Sequence, residues 1–173
     1  MSRSSSSVCH ADPLGARPYE RPTTGEHTMS FGNRAPPFRR TLSAAQARRM
    51  VDDALRQAMA MTVPVTVAVV DESGVIKEFK RMDGAPLVSV ETAIHKAYAA
   101  VAIGMPPDEF FTIIESNPAA VASFANRPDL ALIAGGLPVV VDGEVAGAVG
   151  VAGAMTGAED RRIAEVAVDG ADR

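Results

Sequence analysis

The sequence predicts an α+β fold: a mostly antiparallel sheet of five short strands, interrupted by helices in blocks. Three observations lead there. Capping boxes, Ser43-Ala44-Ala45-Gln46 and Thr156-Gly157-Ala158-Glu159, open two amphipathic stretches near the ends of the ordered chain. Between them lie runs of β-branched and small apolar residues of strand length. Short turn sequences, Asp71-Glu72-Ser73-Gly74 and Asp142-Gly143, join neighbouring runs and leave no room for a crossover helix.

The elements follow in order. After Ser43, apolar residues Ala47, Met50, Val51, Ala54, Leu55 and Ala58 recur at helical spacing, so residues 43–60 form a helix that Pro64 ends. Residues 65–70 read as a β-branched strand, and 75–81 as its hairpin partner. Met82-Asp83-Gly84-Ala85-Pro86 breaks the chain. A helix then runs from Ser89, its expected cap, to Ile103, with a core stripe of Val90, Ala93, Ile94, Ala97 and Val101. Gly104 closes it, and Pro106-Pro107-Asp108-Glu109 starts a shorter helix. Residues 116–129 read as irregular or a short helix. Three strands are expected at 130–133, 137–141 and 144–151, and a final helix runs from the second capping box to Val168.

Composition narrows the function classes. The 173 residues are 47% hydrophobic and 22% charged, with mean hydropathy +0.07. That is the balance of a folded protein. No apolar run reaches the length of a membrane span, so no membrane is expected. A net charge of −4 without a lysine block argues against nucleic acid. One cysteine, Cys9, excludes an internal disulfide and a cysteine-built zinc site. Residues 1–40 carry six arginines and three acids, five of the twelve prolines and a run of four serines; residues 41–173 carry a net −7. The first segment has no apolar periodicity, and we read it as a disordered tail before one domain at 41–173. It lacks the apolar core of a secretory signal, so the cytoplasm is the expected location. Met29 is an alternative start.

Several pieces then carry a family resemblance: Val69-Val70-Asp71-Glu72-Ser73-Gly74, Arg81-Met82-Asp83-Gly84-Ala85, Ile94-His95-Lys96-Ala97-Tyr98, Gly135-Gly136-Leu137-Pro138, Asp142-Gly143-Glu144-Val145, Gly147-Ala148-Val149-Gly150-Val151 and Glu159-Asp160. In this order, over about residues 42–168, they resemble the GlcG/HbpS family, which also occurs as the C-terminal domain of PduO-type proteins. The resemblance implies a profilin-like fold with a five-stranded antiparallel sheet, assembly into homo-oligomers, and in some members the binding or handling of haem.

Candidate chemistry rests on few residues. His95 is the one histidine outside the tail, and Glu91 lies four residues before it on the same helix face. The carboxylate either orients the imidazole as a general base or forms a surface pair worth a few tenths of a kcal/mol. Lys96 sits among alanines, where it either extends to water or acts as base, Schiff-base amine or carboxylate clamp. Arg81 and Asp83 flank a strand end; the arginine either grips a ligand carboxylate or closes a turn with Asp83. Gly135, Gly136 and Pro138 form a bend whose backbone N–H groups can approach an anion, although the P-loop residues are lacking. Gly147, Gly150 and Gly153 read as sites of close packing. One histidine with scattered acids makes no metal site.

Two functions follow. The first is a small-molecule-binding protein whose ligand is haem or another planar organic molecule. The second is a cofactor-independent enzyme, a lyase or isomerase for a small carboxylated or aromatic catabolic intermediate. There Arg81 anchors the carboxylate and Lys96 or His95 moves the proton.

Overall fold

The computed structural model describes residues 40–171. The expected tail, Arg40 excepted, lies outside the described residues. Four strands form one antiparallel sheet: β1 (Thr66–Asp71), β2 (Ile76–Arg81), β3 (Gly136–Val141) and β4 (Glu144–Ala152), in the order β2-β1-β4-β3. Five helices accompany it: α1 (Ala44–Met61), α2 (Ser89–Ile103), α3 (Pro107–Ile114), α4 (Pro118–Ala125) and α5 (Gly157–Asp169). The α+β class and the antiparallel sheet stand. The fifth strand does not: residues 130–133 are irregular. Leu130, Leu132 and Ile133 line a depression with Phe111 of α3 and Val121 and Phe124 of α4. A short apolar run without alternation does not by itself specify a strand, and this one is half-buried to exposed.

Both capping boxes form. Ser43 Oγ accepts from the Gln46 amide at 3.2 Å, and Thr156 Oγ1 from that of Glu159 at 3.3 Å. Asp142 and Gly143 take φ 53° and 81°, the left-handed pair of a tight hairpin turn between β3 and β4. The expected Ser89 cap is absent. Val88 occupies the cap position, and the Ser89 hydroxyl donates to the Pro86 carbonyl at 2.6 Å.

Side chains alternate across the two central strands. Val67, Val69, Val149 and Val151 face one way, into a core closed by Met50, Val51 and Ala54 of α1 and Ile163, Ala164 and Ala167 of α5. Ala68, Val70, Ala148 and Ala152 face the other way, toward Ala93, Ala97 and Ala100 of α2. Small residues on both sides let α2 lie close to the sheet. A Cβ on Gly150 would overlap the Ala93 carbonyl oxygen and sit 2.6 Å from the Ala97 amide.

The buried face of α2 is turned from the expected stripe. Ser89, Ala93, Lys96, Ala97, Ala99 and Ala100 are buried, whereas Val90, Ile94 and Val101 are half-buried. Opposite Gly150 the helix presents Ala93 and Ala97, because its backbone approaches the sheet closely there.

Candidate functional site

That rotation carries Lys96 inward. Its side chain is 2% exposed, although four alanines surround it in sequence. A lysine is rarely buried without a partner, and here the partner comes from α5. Residues Asp160, Ile163, Ala164 and Ala167 make one buried stripe at helical spacing, so a carboxylate occupies a core position. Lys96 Nζ donates to Asp160 Oδ2 at 2.7 Å and to the Val151 carbonyl at 2.9 Å. Asp160 Oδ1 accepts from the Ala154 amide at 3.1 Å.

The Val151 carbonyl is available because β3 ends there. The paired register stops at Gly136 opposite Gly150; the Gly135 carbonyl still accepts from the Val151 amide at 2.8 Å, but Gly135 leaves the strand with φ 108°. The lysine ammonium takes the place a strand amide would otherwise fill. Gly135 is required at this point: a Cβ would stand 2.7 Å from the Val151 oxygen, 2.8 Å from Asp160 Cβ and 2.9 Å from Lys96 Nζ. Burial pushes the Asp160 carboxyl above its usual range, while the hydrogen bond and charge of Lys96 pull the other way.

The pair forms part of the lining of an open cleft of about 450 Å³. The cleft is built by the chain before and into α2 (Pro86, Val88, Ser89, Thr92), by Ile133 and Ala134, and by residues 152–157 at the end of β4 and the start of α5. Several lining side chains are apolar and exposed: Val88 at 74%, Ile133 at 51% and Met155 at 95%. Such residues lining a concavity above a buried polar pair have the composition of small-molecule sites.

Of the candidate catalytic and ligand-binding residues, Lys96 lines this cleft and Gly135 abuts it; Gly153, read as a close-packing site, lines it too. Gly136 is buried behind the lysine backbone, where a Cβ would meet the Lys96 carbonyl at 2.5 Å. Pro138 is half-buried within β3. His95 is half-buried and Glu91 exposed; they form no hydrogen bond or ion pair with each other among the described contacts. Glu91 instead borders a neighbouring depression with Leu87, Val88 and Val90. Arg81 is exposed and turns back to the Ala85 carbonyl, at 3.2 Å from Nε and 2.5 Å from Nη2. It therefore meets neither Asp83 nor the cleft, and it serves the turn. The expected constellation of Arg81, His95 and Lys96 does not converge.

Asp160 and the Val151 carbonyl are the partners that inspection of single motifs missed. The signal for Asp160 was present: in Glu159-Asp160 the first acid completes the capping box, and the second falls in the apolar stripe of α5. Arg161 adds a brace between helices, bonding Asp108 at 2.8 Å and Glu109 at 2.6 Å at the start of α3. The hydrogen bond Arg161 donates to Glu109, with those it donates to the other acids, raises its already high pKa.

Comparison with known proteins places this geometry. Residues 42–169 match the family described as "Haem degrading protein HbpS-like". An uncharacterised 15.0 kDa protein from the dhaT-dhaS intergenic region of Citrobacter freundii is 33% identical over 130 residues, which is 75% of this chain and 91% of that protein. Protein GlcG of Escherichia coli K12 is 32% identical over 110 residues, 64% of this chain and 80% of GlcG. Among solved structures, Klebsiella pneumoniae ORFY superposes with a TM-score of 0.73 at 27% identity, covering 81% of this chain and 96% of ORFY. A complex of PduOC with haem gives 0.70 at 27% identity, covering 75% and 94%. A Streptomyces reticuli HbpS variant gives 0.71 at 28% identity, covering 88% and 97%. With the profile matched over most of its described length, the chain belongs to the HbpS-like family.

Proposed function

We propose that the protein binds a small planar organic molecule in the cleft above Lys96 and Asp160. The observation that carries this reading is the cleft itself: about 450 Å³, with exposed Val88, Ile133 and Met155 among its lining and one buried ion pair reaching it. Apolar walls supply affinity through removal of surface from water, and a few polar groups supply orientation. The haem carried by the structurally similar PduOC supports a planar ligand.

Haem as such fits this cleft poorly. Among the described residues its lining offers no imidazole, thiolate or phenolate; the soft donor present is the thioether of Met155. A planar ligand held by its faces and edge, without ligation of a metal, suits these residues better.

A second reading, cofactor-independent lyase or isomerase chemistry, is favoured by the buried Lys96–Asp160 pair. A proton shared between an amine and a carboxylate beside a cleft is the equipment of an acid–base site. Arg81 has no part in it.

Self-association belongs to the proposal. Helix α4 carries no charge and no buried residue, and Ile113 of α3 is 64% exposed. A second copy covering this apolar hairpin would account for it, and sedimentation of the full chain reads the result directly.

Binding is tested by titrating the full chain with 2-naphthoate, followed by fluorescence anisotropy, and with hemin, followed by absorption. Albumin serves as the control for nonspecific uptake. Saturation at a fixed ratio per chain with either probe supports the reading. Unsaturating uptake of both, like that of any apolar surface, contradicts it.

A further inference from the structure

We propose that Lys96 is a carbonyl-reactive amine, forming an imine with a small aldehyde or ketone seated in the cleft. The inference rests on the cleft being a small-molecule site and adds the chemistry of its occupant.

Three observations carry it. Lys96 is part of the cleft lining although its side chain is 2% exposed, so its amine borders the space an occupant fills. Its two protein partners take two of the three ammonium N–H donors. Gly135 packs beside the nitrogen, where a Cβ would crowd Nζ to 2.9 Å and Asp160 Cβ to 2.8 Å, so the glycine lets the amine and its carboxylate partner meet. The other two lysines, Lys77 and Lys80, lie exposed on β2 and share none of this.

The step balances with the groups present. The Lys96 ammonium passes one proton to Asp160, 2.7 Å away, leaving an amine beside a carboxylic acid. The nitrogen lone pair attacks the carbonyl carbon, and the C=O π pair moves to oxygen. Transfer of a nitrogen proton to that oxygen gives a carbinolamine. Asp160 then protonates the hydroxyl, water leaves as the nitrogen lone pair forms C=N, and the Asp160 carboxylate is restored beside the iminium. Ammonium and carbonyl become iminium and water, with no oxidant or reductant. The burial that raises Asp160 favours its role as proton carrier.

The test uses the full chain, 2-naphthaldehyde and cyanoborohydride, which delivers a hydride to the iminium carbon and fixes it as a secondary amine. Peptide mapping by mass spectrometry reads the site. The expected result is labelling of Lys96 at least tenfold above Lys77 and Lys80, abolished in Lys96→Arg and suppressed by excess 2-naphthoate. Lys96→Arg retains a cation opposite Asp160, and circular dichroism verifies its fold. Labelling spread evenly over the lysines and the N-terminus overturns the proposal. If 2-naphthoate binds saturably while Lys96 stays unlabelled, imine chemistry fails and the binding cleft survives. If naphthoate does not bind and Lys96 is unlabelled, both fail.

Discussion

Removing the Lys96 amine should destabilise the protein strongly, and removing its partner with it should restore much of the loss. In Lys96→Met the ammonium disappears while Asp160 stays in place, 4% exposed, with the Ala154 amide as its remaining hydrogen-bond donor. Leaving one member of a buried pair uncompensated costs about 3–5 kcal/mol. For a chain of this size that is a fall in Tm on the order of 10 °C. The double variant Lys96→Met/Asp160→Leu removes both charges and should recover to within about 1–2 kcal/mol of the parent, because well-packed apolar replacements of an ion pair are often neutral. Urea denaturation of the four proteins gives the coupling as a double-mutant cycle. A single variant within about 1 kcal/mol of the parent, or a double variant no better than the singles, would refute the reasoning.

Four further outcomes are expected. Lys96→Met should gain pH dependence: burial without the lysine raises Asp160 further above 3.8, so stability is fully present below that pH and is lost as pH rises through the folded-state value, which a series of urea melts will show. Gly150→Ala should lower stability by about 3 kcal/mol or more, since its methyl meets backbone of α2 rather than a movable side chain; failure to shift the urea midpoint would remove the close-packing account. Ser43→Ala should cost about 1 kcal/mol by deleting the α1 cap, read by the same melts. Val88→Asp/Met155→Asp should weaken 2-naphthoate binding at least tenfold while leaving stability within about 0.5 kcal/mol, because both side chains are exposed.

The elements were legible where local chemistry decides them. Ser43 with Gln46, Thr156 with Glu159, Asp142-Gly143 and the Val65–Val70 run each specify backbone geometry within a few residues. The site was less legible, because it depends on which face of α2 meets the sheet. Hydrophobicity points to Val90, Ile94 and Val101, whereas the backbone of α2 at Ala93 and Ala97 lies against Gly150, with Ile94 and Val101 half-buried at the edge and Lys96 inside. Asp160 lies 64 residues along the chain from Lys96, and nothing local links the two. Arg81 illustrates the opposite case: its chemistry suits a ligand carboxylate, yet the carbonyl of Ala85, four residues away, takes its donors. His95 and Glu91 share a helix face as their spacing requires, but that face does not line the cleft. Residues 130–133 form a half-buried loop where a strand is expected, because a short apolar run without alternation does not by itself fix the backbone.

Methyl NMR of the protein labelled at methionine tests the binding cleft most directly. The chain has eight methionines, of which Met155 lies in the cleft at 95% exposure and Met50 is fully buried in the α1 core. Met155→Leu assigns the first signal and Met50→Leu the second. On titration with 2-naphthoate, the account predicts a saturable shift of the Met155 methyl while the Met50 methyl stays in place. Saturable binding that leaves Met155 unmoved and shifts other methionines would contradict it.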